Sequence, residues 1–362
     1  MAPSKTIRSA VVLFLFTGLV LAACAPGPPP LVAGATGIAT GDTHSCALVA
    51  GGVVMCWGSS TSTNSNTAAP EAGITGAYRI AASVIHTCGL FTTGQARCWA
   101  PLPDHPATAP TSGAALATGN AHTCWTVGGG EVRCAGDNHF GQLGDGTNNF
   151  ALDPPAAVLG VTGATALAAG QEFTCALLGG GSVKCWGDNS FGQLGDATNT
   201  ASNVPVDVAG LGGVVAISAY RFSACAILTG GAVKCWGANA SGQLGDGTTA
   251  SRNVPVSVAG LTGATAITAG GDHSCAVVAG GAVKCWGANG SGQLGTGTYA
   301  GSLVPVGVVG LNAATLVSAG GPHTCALVAG GGVKCWGANG SGQLGNATNS
   351  GSPVPVDVIA DP

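Results

Sequence analysis

The sequence predicts an all-β protein, a seven-bladed β-propeller with four short strands per blade. Three observations carry that reading. Fourteen of the fifteen cysteines fall into seven pairs with one spacing, and the stretch around each pair reads strand, turn, strand. The first cysteines of successive pairs follow one another at 42, 36, 51, 50, 50 and 50 residues. A period of this length built from strand-sized segments is the mark of a repeat ring. Composition agrees: 63 glycines and only two methionines suit short strands joined by tight turns. The glycines follow no collagen triplet order, and a hydrophobic share of 46% is too high for a disordered chain.

The pairs are Cys46 with Cys56, Cys88 with Cys98, Cys124 with Cys134, Cys175 with Cys185, Cys225 with Cys235, Cys275 with Cys285, and Cys325 with Cys335. In the last, folding about Gly330 sets Cys325 opposite Cys335 in the manner of a three-residue hairpin turn with a left-handed glycine. Non-hydrogen-bonded cross-strand partners have Cα atoms about 4.5 Å apart, within reach of a disulfide. Zinc sites favour closer cysteine steps, and these pairs are spread over separate units, so no metal and no cofactor are expected.

The remaining cysteine belongs to the N-terminus. Lys5 and Arg8 precede an apolar run from Val11 to Leu21, which ends in Leu21-Ala22-Ala23-Cys24. About eleven apolar residues are too few to span a bilayer comfortably. The pattern resembles a bacterial lipoprotein signal, which implies that residues 1–23 are removed and that Cys24 is lipidated. Residues 24–30 then form a proline-rich tether, and residues 31–362 the propeller. Ala25 after the cysteine implies, by likeness to Gram-negative lipoproteins, an outer-membrane address; the alternative is an ordinary cleaved signal and secretion. Without Lys5 and Arg8, nine basic residues face fifteen acidic ones, a net charge of −6. No basic cluster exists, which argues against nucleic acid as a partner.

One full repeat runs through Val254-Pro-Val-Ser-Val258, Ala264–Gly270, the His273-Ser-Cys-Ala-Val-Val segment and Ala282–Trp286, followed by the turn-rich Gly287-Ala-Asn-Gly-Ser-Gly-Gln-Leu-Gly295. The Ala-Gly-x-x-His approach, the Trp-Gly-x-Asn turn and the Gly-Gln-Leu-Gly run resemble the regulator-of-chromosome-condensation repeat family. Asn138-His-Phe-Gly-Gln-Leu-Gly144 and Asn189-Ser-Phe-Gly-Gln-Leu-Gly195 match it most closely. Units one and two lack Gly-Gln-Leu-Gly and have shortened connections (59–70 and 100–110). The first unit also lacks a preceding Val-Pro-Val segment, while Val354–Val358 stands unattached at the C-terminus. The C-terminal strand is therefore expected to complete the first blade and close the ring.

Residues repeated in every unit read as fold signatures. Five units place a histidine two residues before the first cysteine (His44, His86, His122, His273 and His323), with Phe173 and Ser223 in the others. Such side chains lie far apart around a ring, so structural hydrogen bonding is expected of them rather than acid–base work. Trp57, Trp99, Trp186, Trp236, Trp286 and Trp336 follow the second cysteine and are expected to pack blade on blade. Lys184, Lys234, Lys284 and Lys334 are expected at sheet edges, and Asp145, Asp196 and Asp246 read as turn residues. No nucleophile-elbow, phosphate-loop or zinc-protease motif is present.

The two residues before the histidine differ from unit to unit: Asp42-Thr43, Val84-Ile85, Asn120-Ala121, Gln171-Glu172, Arg221-Phe222, Gly271-Asp272 and Gly321-Pro322. Tyr220-Arg221-Phe222 is an aromatic–basic cluster of the kind that anchors partners. Candidate partner-binding residues are thus Asp42, Asn120, Glu172, Tyr220, Arg221, Phe222 and Asp272. The expected function is a non-enzymatic, monomeric binding protein of the cell envelope, docking a protein or a glycan and touching the membrane only through its lipid. Alternatives are inhibition of an extracellular enzyme, guanine-nucleotide exchange as the resemblance implies, and an envelope hydrolase or lyase.

Overall fold

The computed structural model describes residues 30–59, 64–84, 86–93, 95–99 and 115–361. The signal segment, Cys24, the start of the tether, Ile85 and the connection at 100–110 lie outside the described residues.

Seven antiparallel sheets follow one another along the chain; among the described residues six have four strands and one has three. Blade six shows the plan: Ala264–Ala269 innermost, then His273–Val278, Ala282–Gly287 and, outermost, Ser302–Gly307. Its second and third strands pair with Cys275 opposite Cys285, and a disulfide joins them at a Cα separation of 4.0 Å. The same bridge recurs in every other blade. It joins Cys46 to Cys56, Cys88 to Cys98 and Cys124 to Cys134 in blades one to three. In blades four, five and seven it joins Cys175 to Cys185, Cys225 to Cys235 and Cys325 to Cys335. Each of these pairs also stands directly opposite in the strand register, so the hairpin brings the sulfurs together before any bond forms.

Register shifts break the ladder on either side of this hairpin, in blade six between Ala264 and Ala266 and between Cys285 and Gly287. Such bulges increase the local twist of a sheet. Blade two contributes Ala77–Ala82, Thr87–Phe91 and Ala96–Trp99. A three-residue 3-10 turn at Gly128–Gly130 is the one helical element among the described residues.

The innermost strands converge on the axis. Ala39, Ala81, Ala117, Ala168, Ala269 and Ala319 line a central cavity of about 190 Å³. Between neighbouring blades, larger residues fill separate cores. One such core holds Phe173, Leu194, Ala224 and Trp236.

The blade frame corrects one expectation. Each Val-Pro-Val strand follows its cysteine hairpin as the outer strand of the same sheet. Ser352–Asp357 therefore completes blade seven, with Val356 opposite Cys335, and does not enter blade one. Blade one owns its outer strand, Asn64–Pro70, drawn from the segment read as a trimmed connection. The ring is closed one step later. Beyond the last strand, Leu31 bridges Ile359 and Ala68 bridges Ala360. The Ala68 amide donates to the Ile359 carbonyl at 2.7 Å, and the Asp361 amide donates to the Ala68 carbonyl at 2.8 Å. A clasp of backbone bonds thus joins the C-terminus to the first blade without exchanging a strand.

The lysines are likewise not at sheet edges. They sit on third strands, and where the outer strand offers an aspartate they pair with it: Lys184 with Asp207 at 2.7 Å and Lys334 with Asp357 at 2.6 Å.

Each disulfide closes a loop of about eleven residues, worth roughly 2.5–3 kcal/mol in the chain-entropy model. Reduction and alkylation should therefore lower the thermal midpoint sharply. Unreduced mass spectrometry should find no free thiol among the fourteen paired cysteines; alkylation of any pair without reductant would contradict the framework.

Candidate binding face

The repeated polar side chains are engaged with one another across the seams between blades. The backbone carbonyl of the Gly-Gln-Leu-Gly glutamine in one blade accepts the tryptophan Nε1–H of the next. The bonds run from Trp57 to Gln343, Trp186 to Gln142, Trp236 to Gln193, Trp286 to Gln243 and Trp336 to Gln293, at 2.8–2.9 Å. The same carbonyl also accepts a hydroxyl, from Ser45, Thr174, Ser274 or Thr324. The glycine closing each run makes room for the indole: a Cβ on Gly195 would lie 2.9 Å from Trp236, and its φ of +69° disfavours any side chain. Trp99 follows a blade without Gly-Gln-Leu-Gly, and its Nε1 has no acceptor among the described residues.

Histidines extend this network. The Nε2 atoms of His44, His122, His273 and His323 lie 2.8–2.9 Å from the hydroxyls of Thr87, Thr174, Thr324 and Ser45, each in the following blade. The hydroxyls of Thr174, Thr324 and Ser45 give their proton to a glutamine carbonyl, so toward the imidazole they must accept, which sets the Nε2–H tautomer. Burial pushes His44 down to about 4, and His122, His273 and His323 down to about 3, so all four rings are neutral at neutral pH. The series breaks twice: between blades four and five both members are replaced, by Phe173 for histidine and Ala224 for the hydroxyl, whereas blade five has Ser223 for histidine while blade six keeps the Ser274 hydroxyl.

Within the loops, buried asparagines do the tying. Asn239 Nδ2 donates to Asp246 and to the Thr248 and Ala250 carbonyls, while its Oδ1 accepts the Leu244 amide. Asp145, Asp196 and Asp246 accept bonds within their own turns. One cluster of potential metal donors occurs among the described residues, His86 with Cys88 and Cys98. Its two sulfurs are joined to each other, leaving no thiolate to ligate.

The turns between first and second strands ring one mouth of the central cavity, and the long loops between third and outer strands surround them on the same face. Backbone bonds link adjacent turns, as from Asn120 N to Gln171 O (2.9 Å) and from Gln171 N to Arg221 O (2.7 Å). From blade five to blade six no such link occurs among the described residues; side chains bridge the gap. Arg221 donates to Asp42 of blade one at 2.8 Å and lies 3.7 Å from Asp272 of blade six. Tyr220 is buried and donates its hydroxyl to Asp42 at 2.8 Å. Burial opposes the Arg221 charge, but Asp42, together with Tyr220 and Asp272, outweighs it and holds the guanidinium above its ordinary pKa. Burial and then Asp42 raise Tyr220 well above its own. Gly321 lies beneath: a Cβ there would meet Asp42 Oδ1 at 2.5 Å. Four of the seven candidate residues, Asp42, Tyr220, Arg221 and Asp272, thus form one latch across the mouth.

The others lie toward blades three to five. Asn120 is half-buried in its turn. Phe222 packs against Phe191 of the neighbouring long loop, ring centroids 5.2 Å apart. Glu172 is half-buried, and burial followed by the charges of Asp188 and Asp137 raises its pKa. Reading the turns alone missed Asp137, His139, Phe140, Asp188 and Phe191. Their signal was available in the copies, since the matching positions of blades five to seven carry alanine for the acid and serine for the phenylalanine.

Models of the regulator of chromosome condensation repeat match residues 180–227, 231–277 and 281–327, and, in a second version, 35–63, 164–193, 214–243, 264–293 and 314–343. No curated protein matches the chain in sequence. Among solved structures, Prp20p from Saccharomyces cerevisiae is similar with a TM-score of 0.68 at 22% identity, over 78% of this chain and 80% of that one. Human WBSCR16 is similar with a TM-score of 0.65 at 20% identity, over 89% of this chain and 81% of that one. The ectodomain of receptor kinase CR4 from Physcomitrella patens reaches 0.55 at 22% identity, over 83% and 72%. At these identities the likeness establishes a shared propeller fold. The repeat models cover more than half of the chain and fall on its blades, and the protein belongs to the regulator of chromosome condensation repeat family.

Proposed function

We propose that this protein is a non-enzymatic docking protein of the bacterial cell envelope, anchored by lipid on Cys24, whose long-loop face receives a protein partner. One observation carries the reading. The groups that recur from blade to blade are engaged in the seams, whereas the residues that differ gather on one face around the channel mouth. A face of loops on a rigid ring is a natural binding surface. The yeast relative Prp20p is described by its binding to Gsp1p and histones, and also in complex with Kap60, so proteins of this fold do dock other proteins. The lipoprotein-like segment, the odd cysteine it accounts for and the seven disulfides support an exported location.

Affinity capture from intact envelopes tests the docking role. The wild-type chain should enrich a defined protein, and Glu172→Ala with Phe222→Ala should lose it while keeping the thermal midpoint; Arg221 is left in place because it braces the ring. An unchanged captured set would overturn this use of the face. Metabolic palmitate labelling should mark the wild-type chain and vanish in Cys24→Ser; a labelled variant would overturn the anchor.

A further inference from the structure

The seven blades form an internal control, because blades three and four depart from blades five to seven in a coordinated way. At the head of the long loop, blades three and four read Asp137-Asn-His-Phe140 and Asp188-Asn-Ser-Phe191. Blades five to seven read Ala238-Asn-Ala-Ser241, Ala288-Asn-Gly-Ser291 and Ala338-Asn-Gly-Ser341. Acid and aromatic are gained together or not at all.

Loop folding does not require either. The amides of Phe191 and of Ser241 both donate to the side-chain oxygen of the glutamine two residues on, at 2.8 and 3.0 Å. The buried asparagine accepts the leucine amide at 3.0 Å in both blade four and blade five. The backbone is the same, so the acidic and aromatic side chains are additions to a loop that closes without them.

The phenylalanines face solvent on the long-loop side, whereas Asp188 is buried and Asp137 half-buried. Phe140 is 41% exposed and Phe191 42%, well above what a packing role would leave. Phe222 of the next turn extends the aromatic surface against Phe191. Glu172 takes, in blade four, the turn position that Phe222 takes in blade five. The Asp188 amide donates to the Glu172 carbonyl at 2.9 Å, which sets the two acids side by side. The Glu172 carboxylate accepts no hydrogen bond among the described residues, and Asp137 and Asp188 crowd it with like charge. His139 offsets this like charge only in part, and Arg221 is already paired with Asp42. Asp137 accepts from His139 and Gln142, and Asp188 from Ser190 and Gln193, so Glu172 is the carboxylate left without a bond among the described residues. A row of exposed aromatic rings beside this acidic cluster favours a partner that brings positive charge and apolar contact together.

We propose that the long-loop face of blades three to five is a seat for a cationic peptide segment, with interleaved apolar side chains, presented by a partner protein. The inference rests on the docking-face reading and gives its partner a chemistry. Guanidinium or ammonium groups would sit beside Glu172, Asp137 and Asp188 and over the phenylalanine faces. The apolar side chains between them would cover Phe140, Phe191 and Phe222.

The test uses the folded chain and variants that install what its own sister blades carry: Phe140→Ser with Phe191→Ser, and separately Asp137→Ala with Asp188→Ala. Binding is read by fluorescence anisotropy with short labelled peptides alternating Arg and Leu, Glu and Leu, or Arg and Ser. The Arg–Leu peptide should bind the wild type, and each double variant should weaken it by about tenfold or more, the phenylalanine variant without moving the thermal midpoint. The Glu–Leu and Arg–Ser peptides should bind far more weakly to all forms. Equal binding of the Glu–Leu peptide, or undiminished Arg–Leu binding in both variants, would overturn the seat. So would self-association of the wild type that the phenylalanine variant abolishes, since the patch would then belong to a second copy. If envelope capture is lost in the Glu172 and Phe222 variant yet peptide binding ignores these substitutions, the docking face stands and its assignment to a cationic segment falls.

Discussion

A single backbone carbonyl, that of the glutamine in each Gly-Gln-Leu-Gly run, holds the seam on which the ring depends. It accepts an indole N–H and, in most seams, a hydroxyl from the next blade, and that hydroxyl in turn accepts from a buried histidine. Three residue types that look independent along the chain are therefore one hydrogen-bonded relay between sheets. Each blade alone would leave an apolar face and a buried-type indole in water, so its stability is borrowed from its neighbours. The disulfides act on a different scale. Cys185 and Cys235 each sit one residue before a seam tryptophan, so bridging them to Cys175 and Cys225 fixes the register in which Trp186 and Trp236 reach their carbonyls.

Much of this was legible in the sequence because its determinants are local and repeated. Cys275 and Cys285 are ten positions apart, and their pairing follows from hairpin geometry. The blade frame was not legible, because Val354–Val358 has the same pattern whether it joins the hairpin before it or the one across the closure. Only the pairing of Val356 with Cys335 decides. The latch was invisible for a related reason. Tyr220 and Arg221 meet Asp42 across 178 and 179 positions, and nothing in either segment marks the other. The aromatic–acidic loops of blades three and four were legible but overlooked, because their signal is a contrast between copies rather than a motif in any one of them.

The division between repeated and varied residues has a mechanical consequence. The seams take up the repeated histidines and most of the tryptophans, the loops take up the asparagines, and burial keeps four of the imidazoles uncharged. The ring is then a stiff mount, with Arg221 bridging the gap in its collar of turns between blades five and six. Chemistry that distinguishes one blade from another is left to the long-loop face, where Glu172, Phe140, Phe191 and Phe222 are free to meet a partner.

The seam between blades four and five offers the most direct measurement of the relay, because there Phe173 and Ala224 replace histidine and hydroxyl together. A double-mutant cycle of Phe173→His and Ala224→Thr, followed by denaturant unfolding, should show each single change destabilising by about 1–3 kcal/mol. The first buries an imidazole without its hydroxyl; the second crowds a hydroxyl against a phenyl ring. The double variant should recover most of the loss, with a favourable coupling of about 1–2 kcal/mol. Additive losses would show that histidine and hydroxyl do not act as a pair across the seam, and would contradict the account.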